Sequence, residues 1–191
     1  NLIQYAANNS NPIPMRTEAL LCLGDWNRQP LVDRVEGRVR KLSSHNSDLA
    51  KILVEKNLKN LFAVSDGEVL AELIRLCGKL QIELGPEQLL VIAKSDSQEL
   101  AARIQSIQSI QLKYKNDVAD DLLSLIKINK PSIQVAAINK FADIEPNKIA
   151  NKLFDEWATL SNPAQQAFLF TLGNNASVKG DEIINNALVS L

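Results

Sequence analysis

The chain has 191 residues, and its 21 basic and 22 acidic side chains leave a formal net charge of −1. Proteins that bind nucleic acid or anionic membranes normally carry a basic excess, so this balance disfavours both kinds of partner. One His and two Cys are too few for most self-contained zinc sites or for a disulfide framework. No stretch reaches the roughly 18 apolar residues that predict a membrane span.

An internal repeat is the dominant pattern of the chain. An apolar anchor residue is followed four and eight residues later by apolar residues, and the next residue is small. The anchors are Met15, Val69, Leu100, Ile133 and Ala164. The unit at Leu100 fits less well, because Gln108 holds the +8 position and Ile107 must substitute for it. A period of about 32 residues, interrupted once by an insertion of about 22 residues after the first anchor, explains all five.

Each repeat is predicted to be a pair of helices, and a truncated unit at 1–10 precedes the first pair. The predicted first helices are 14–26, 67–80, 97–111, 132–143 and 163–173, and the predicted second helices are 48–63, 86–94, 117–128, 146–160 and 180–190. Prolines mark predicted helix starts at Pro86, Pro131, Pro146 and Pro163, where a missing N–H costs nothing. Ser65 with Glu68, and Asp96 with Glu99, have the spacing of a capping box.

A helix pair of this size cannot bury its apolar face alone, and stacking neighbouring pairs builds a continuous core. The chain is therefore predicted to be all-α, as one domain over residues 1–191. We expect a right-handed α-solenoid (α-α superhelix) of about five helix pairs.

The pairing of helices and the unit length resemble HEAT-like repeats. The resemblance rests on the segment Asn11-Pro-Ile-Pro-Met-Arg-Thr-Glu-Ala-Leu-Leu-Cys-Leu-Gly24, where an Arg follows the anchor and an Ala and a Leu-Gly come later. The other units depart from this pattern, because Leu70, Ala101, Gln134 and Gln165 stand where Arg16 does. The resemblance implies a fold and a general binding role, and no activity.

The insertion, at about 27–47, carries a second resemblance. Its run Leu-Gly-Asp-Trp…Leu-Val-Asp-Arg-Val-Glu-Gly-Arg is similar to a segment in HEAT-like regions of large bacterial extracytoplasmic proteins. There the array lies between a sugar-dehydrogenase-like β-propeller and a c-type cytochrome domain. This resemblance implies a periplasmic or extracytoplasmic helical spacer, with the activity and the haem in other domains. The chain has no Cys-x-x-Cys-His and is expected to hold no cofactor.

Two interpretations of the insertion remain open. As a docking segment, it would contact a protein partner, such as an adjoining domain of the same polypeptide, because arginine matches carboxylates and is enriched at interface hot spots. The candidate residues are Trp26, Asp33, Arg34, Arg38 and Arg40. As a structural cover, the same charges would pair with one another and with helix ends above the core of the first repeat.

No set of residues in the sequence predicts catalysis or metal binding. His45 lies in a polar run with no nucleophile motif beside it, and the acidic pairs Asp120-Asp121 and Asp155-Glu156 diverge around a helix. Cys22, Cys77 and Trp157 fall on apolar helix positions and are expected to pack in the core. The sequence therefore predicts a non-catalytic scaffold or protein-interaction module. The alternative is part of an enzyme, contributing to a redox or carbohydrate-active site that neighbouring domains complete.

Overall fold

A computed structural model describes residues 2–27, 32, 36–39, 46–174, 181 and 185. In these residues the regular structure is helical, apart from an isolated antiparallel bridge between Val32 and Val39. The α-helices of the described part are α1 (Leu2–Ala6), α2 (Ile13–Gly24), α3 (Ser47–Val64), α4 (Gly67–Lys79), α5 (Pro86–Lys94), α6 (Leu100–Ser109), α7 (Lys115–Ile126), α8 (Pro131–Ile144), α9 (Ile149–Leu153) and α10 (Asn162–Asn174). Short 3-10 helices cover Leu112–Tyr114 and Trp157–Thr159. The prediction of an all-α chain is confirmed for the described residues.

Proline and asparagine set several of the helix starts. Pro86 and Pro131 are the first residues of α5 and α8, and Pro163 is the second residue of α10. Asn46 precedes α3, and its side-chain oxygen accepts a hydrogen bond from the Asp48 N–H at 2.9 Å. The N–H groups of a first helical turn have no partner within the helix. Proline has no such N–H, and the Asn46 side chain accepts a hydrogen bond from one of them.

The two predicted capping boxes do not form. Only Ser65 and Asp66 link α3 to α4, so Ser65 ends one helix and Asp66 precedes the next. Ser65 Oγ is buried and makes no hydrogen bond to any described residue. Asp96 lies too far before α6 to cap it, and its carboxylate pairs with Lys130 Nζ at 3.0 Å.

The predicted helix at 146–160 is shorter than expected. Only Ile149–Leu153 is α-helical, and Pro146 lies in the preceding turn. The N–H of Glu156 donates to the carbonyl of Leu153 at 3.1 Å, which is the tighter pattern of a 3-10 helix. The predicted helix at 180–190 lies outside the described residues, apart from positions 181 and 185.

The first compact unit comprises residues 1–84 and 97–105. Within it, α2 packs against α1 and α4, and α3 packs against the same two helices. The core of this unit includes Leu20, Val54, Leu61, Leu73 and Ile74, all with no exposed surface. Each of these residues lies on the apolar stripe of an amphipathic helix, and the packing of the stripes stabilises the unit.

The second compact unit comprises residues 85–96 and 106–191. Within it, α8 packs against α7 and α10, and α5 packs against α7. Leu122, Phe141 and Phe168 are buried in its core. The ring centroids of Trp157 and Phe168 are 6.2 Å apart, so Trp157 packs against the core as the sequence predicts.

Arg16 joins the ends of two helices in the first unit. It directly follows the anchor Met15 and is 3% exposed. Its Nε donates to the carbonyl of Ala6, the last residue of α1, and its Nη2 donates to the carbonyl of Val64, the last residue of α3, both at 2.8 Å. Because the last carbonyls of a helix have no partner within it, this arginine satisfies two of them at once.

Gln134 makes the corresponding contacts in the second unit. It directly follows the anchor Ile133 and is 3% exposed. Its Nε2 donates to the carbonyl of Ile126, the last residue of α7, at 3.0 Å, and its Oε1 accepts from the N–H of Ser161 at 3.2 Å. Gln165, after the next anchor, donates to the carbonyl of Trp157 at 3.0 Å. Gln134 thus satisfies a helix-end carbonyl from the position that Arg16 occupies in the first unit. Gln165 instead bonds the first residue of a 3-10 helix, whose carbonyl also accepts from the Leu160 N–H.

Several other side-chain contacts join positions about 30 residues apart along the chain. In the first unit, Lys51 Nζ donates to the carbonyl of Gln81 and Arg75 to Gln105 Oε1, each across 30 residues. In the second unit, Lys140 Nζ donates to the carbonyl of Ile110, again across 30 residues. The second unit also has two ion pairs at similar separations: Lys94 pairs with Asp121, across 27 residues, and Lys130 pairs with Asp96, across 34 residues.

Two glycines of α4 should respond oppositely to alanine substitution. Gly67 has φ +48°, and a Cβ there would lie 2.5 Å from a Glu99 carboxylate oxygen. Gly67→Ala should destabilise the chain by about 1–2 kcal/mol, because an L-residue is strained at this φ. Gly78 has nothing within 4 Å of an added Cβ. Gly78→Ala should stabilise by about 0.5–1 kcal/mol, because alanine is the better helix former. Urea unfolding followed by far-UV circular dichroism measures both, and the same sign for the two variants would contradict the prediction.

Removing the helix-joining arginine should be costly. Arg16→Met keeps an unbranched side chain but leaves two helix-end carbonyls without their donor, so we expect a loss of about 2–4 kcal/mol of unfolding free energy. Gln134→Met should show a similar loss in the second unit. Arg38→Met is the matched control, because Arg38 is exposed and its replacement should change stability by less than about 0.5 kcal/mol. Equal denaturation midpoints for Arg16→Met and Arg38→Met would refute the structural role of Arg16.

Candidate functional site

An apolar groove runs between α1 and α2 on the first unit. It has a volume of about 250 Å³ and is lined by Leu2, Tyr5, Met15, Glu18, Ala19 and Cys22. We call it the α1–α2 groove. Met15 is 53% exposed and Tyr5 is 37% exposed, so large apolar side chains line its open side. Exposed apolar surface of this kind often marks an interaction site.

The α2 side of the groove is a regular stripe. Met15, Glu18, Ala19 and Cys22 have the spacing that places residues on one face of a helix. The Cys22 thiol lies 3.6 Å from a Glu18 carboxylate oxygen. Glu18 is half-buried and is the one acidic or basic side chain among the described lining residues. The described lining thus places a carboxylate and a thiol among apolar groups.

The equivalent stripe on α4 is buried. Counted from its anchor, α4 places Val69, Glu72, Leu73 and Leu76 at the same four positions, and none is more than 2% exposed. The neighbouring helix α2 packs on α4, and a Cβ on Gly24 would lie 3.4 Å from Leu76 Cδ1. The last turn of α4 is joined to the end of α2 by Lys79 and Asp25, whose charged atoms are 3.1 Å apart. The same pattern of residues is thus covered by a helix on α4 and open on α2.

Glu72, the acidic residue of the α4 stripe, is buried. One of its carboxylate oxygens forms an ion pair with Arg75, and the other is buried without a hydrogen bond to any described residue. Burial raises the pKa of Glu72, and the nearby Arg75 only partly opposes this shift. Arg75 also donates to Gln105 Oε1 at 3.1 Å, which fixes the guanidinium beside Glu72. An acidic residue in this stripe needs a cation when the stripe is covered.

A second apolar cavity lies on the other side of α1. It has a volume of about 400 Å³ and is lined by Leu2, Ile3, Leu23, Trp26, Leu49, Ala50 and Leu53. We call it the α1–α3 cavity. It shares Leu2 with the α1–α2 groove, and Leu49 and Leu53 are 49% and 37% exposed. The two depressions together make this surface of the first unit unusually apolar.

The structure describes two of the five residues predicted to form a docking segment. Trp26 is half-buried and lines the α1–α3 cavity. Arg38 is exposed and follows Gly37, whose φ is +66°. Asp33, Arg34 and Arg40 lie outside the described residues. A docking segment made from these five residues therefore stays a prediction.

The other chemical groups considered from the sequence make structural contacts where they are described. Both cysteines have free thiols, and burial raises the pKa of Cys77 to about 12, so that thiol stays protonated. Asp121 pairs with Lys94, and Glu156 pairs with Lys127 at 2.7 Å. His45 lies outside the described residues. Among the residues that are described, no group of three or more potential ligands is placed to hold a metal ion.

No helix in the described part of the chain is long and apolar enough to cross a membrane. This agrees with the sequence, in which no apolar stretch predicts a span.

Sequence reasoning did not identify the α1–α2 groove. It treated Met15 as one of five equivalent core anchors, because the pattern is the same in every repeat. A Glu stands three residues after the anchor in both α2 and α4, at Glu18 and Glu72, so this acidic residue does not distinguish the open stripe from the buried one.

Replacing the buried carboxylate should change how stability depends on pH. Because the pKa of Glu72 is raised in the folded chain, the unfolded chain loses this proton first as pH rises, and Glu72 disfavours folding at higher pH. Glu72→Gln should therefore be more stable than wild type at pH 7, and the difference should shrink as the pH falls through the raised pKa and vanish below the ordinary pKa of glutamate. Urea unfolding across this pH range measures the difference. Glu55→Gln, at an exposed position of α3, controls for the loss of one negative charge. A variant less stable than wild type only at pH 7 would show that the Arg75 pair outweighs burial.

Comparison with known proteins assigns the chain to no family. No protein-family model, no curated protein and no solved structure matches it. The HEAT-like resemblance stays a prediction, and the function has to be inferred from the contacts and charges of the chain itself.

Proposed function

We propose that the chain is a non-catalytic helical scaffold that binds protein partners. In this proposal it is a right-handed solenoid of about five HEAT-like helix pairs and serves as a spacer in a larger protein. Its partners are adjoining domains of the same polypeptide. The contacts that recur at separations of 27 to 34 residues support this arrangement, because stacked repeats contact their neighbours about one period away.

The single observation that carries the proposal is the difference between two equivalent stripes. On α4 the stripe is buried and α2 packs on that helix, whereas on α2 the Met15 side chain is 53% exposed. Exposed apolar area is unfavourable by about 25 cal/mol per Å², so covering the groove would stabilise a complex. Because a helix of the chain packs on the equivalent stripe of α4, a protein surface is the cover we propose for the groove.

The lining of the two depressions favours binding over catalysis. General acid–base chemistry requires titratable groups placed together around a substrate. Among the described lining residues of the α1–α2 groove, the Glu18 carboxylate contacts the Cys22 thiol, and no lysine, arginine or histidine lies with them. The described lining of the α1–α3 cavity consists of aliphatic residues and Trp26. Such surfaces are suited to packing.

Association with the adjoining domains, produced separately, tests the proposal. Isothermal titration of the chain with each domain should show saturable binding. Met15→Glu should weaken that binding at least about tenfold, because a charge would be buried in the interface. Ile52→Glu is the matched control, since Ile52 is 59% exposed and does not line either depression. Arg38→Ala reports on the insertion in the same assay. Absence of binding to the domains on both sides would contradict the proposal.

A further inference from the structure

We propose that Met15 is a site of reversible oxidation by a peroxide, and that its sulfoxide turns the α1–α2 groove from an apolar surface into a polar one. The modification itself depends only on the chemistry and the exposure of Met15. Its effect on association rests on the proposed function, because it regulates the same groove.

Met15 combines an oxidisable side chain with exposure to water. It is the one methionine of the chain, and it is 53% exposed. The side chains at the equivalent anchor positions are hydrocarbons that a peroxide leaves unchanged, at Val69, Leu100, Ile133 and Ala164. The thioether of an exposed methionine meets oxidants dissolved in water, whereas a core packed around a thioether excludes them. The chain therefore carries its single thioether where a peroxide can reach it.

The reaction with hydrogen peroxide balances without a further reagent. A lone pair of Met15 Sδ attacks one peroxide oxygen, the O–O bond breaks, and the second oxygen leaves as water after taking up the proton of the first. The sulfur loses two electrons and becomes a sulfoxide, and the peroxide is reduced. Two thiols reverse the step, because they remove the oxygen as water and are themselves oxidised to a disulfide. Methionine sulfoxide reductases catalyse this reversal, so the modification can act as a switch.

The two cysteines carry the other sulfur atoms of the chain, and their oxidation is distinguishable from that of Met15. A thiol reacts with peroxide as its thiolate, so its oxidation accelerates as pH rises, whereas a thioether has no proton to lose. Burial raises the pKa of Cys77 to about 12, so this thiol stays protonated. Cys22 is half-buried and lines the same groove as Met15. A peroxide reaction under acidic conditions therefore selects for Met15.

Oxidation would change the groove at its most exposed point. Met15 is the most exposed of the described lining residues, ahead of Tyr5 at 37%. A sulfoxide oxygen accepts hydrogen bonds from water, and an apolar surface that covered it would remove them. The fold itself does not depend on this side chain, because the next residue, Arg16, joins α2 to the ends of α1 and α3. The sulfoxide therefore disfavours association at the groove without unfolding the chain.

The oxidation site can be tested on the full chain without a partner. Wild type treated with hydrogen peroxide at about pH 5 should gain the mass of one oxygen atom, whereas Met15→Leu should not. The rate should be the same at about pH 8. On hydrophobic interaction chromatography the oxidised chain should elute earlier than the untreated chain and together with Met15→Gln, in which an amide replaces the thioether. A methionine sulfoxide reductase with a thiol reductant should restore the original elution. Equal urea midpoints establish that the oxidised chain is folded.

The effect on association is measured by isothermal titration with the adjoining domains. Oxidation of wild type should weaken binding at least about fivefold, and Met15→Gln should do the same without peroxide. Binding by Met15→Leu should not respond to peroxide. The matched control is the double variant Met15→Leu/Ile52→Met, which moves the methionine to a position that is 59% exposed and lines neither depression. Oxidation of this variant should leave its binding unchanged.

Several results would overturn the inference. These are a folded wild type that gains no oxygen, an oxygen that Met15→Leu also gains at about pH 5, and an elution that oxidation does not change. Binding to an adjoining domain that is equally tight before and after oxidation would refute the regulation of the groove and leave the proposed function standing. Oxidation at Met15 with the earlier elution, but without binding to either domain, would refute the proposed function and leave the oxidation site standing.

Discussion

The carbonyl groups at the ends of the helices impose the constraint on which the packing depends. A helix that ends inside a packed unit leaves its last carbonyls without intrahelical donors, and each unsatisfied buried group costs about 1–3 kcal/mol. Arg16 and Gln134 meet this demand from the same position, one residue after an anchor. Arg16 bonds the last residues of α1 and α3. Gln134 bonds the last residue of α7 and also Ser161, just before α10. Each side chain therefore fixes the distance between two segments of its unit. The apolar contacts then have a defined register in which to form.

The need to bury apolar surface explains why the exposed face of α2 differs from the buried face of α4. A helix held in register by polar contacts on one side must still bury its remaining apolar face against a neighbour. On α4 that neighbour is α2, and the burial extends to a glutamate whose pKa rises as a result. On α2 the corresponding face is the α1–α2 groove. Its composition resembles that of an interior surface, and exposed apolar surface of this kind often marks an interaction site.

The sequence predicted the helices well where the signals were local. Pro86 and Pro131 begin helices because their missing N–H costs nothing there, and an apolar stripe of helical period identified α4 and α8. It failed where tertiary contacts competed with local ones. Ser65 and Asp96 match a capping pattern. Ser65, however, lies in a two-residue link and ends α3, and the Asp96 carboxylate pairs with Lys130. The five-residue helix α9 likewise gives way to 3-10 geometry near Trp157.

The candidate site could not be predicted because its residues follow the core pattern. Met15 and Val69 occupy the same repeat position and are both apolar, yet one is 53% exposed and the other fully buried. Hydrophobic periodicity reports which face of a helix is apolar, but it does not report whether another helix covers that face. The distinguishing information is tertiary. Glu18 and Glu72 stand at the same position of their stripes, so the acidic residue does not separate the exposed stripe from the covered one. What separates them is the helix α2, which packs on α4.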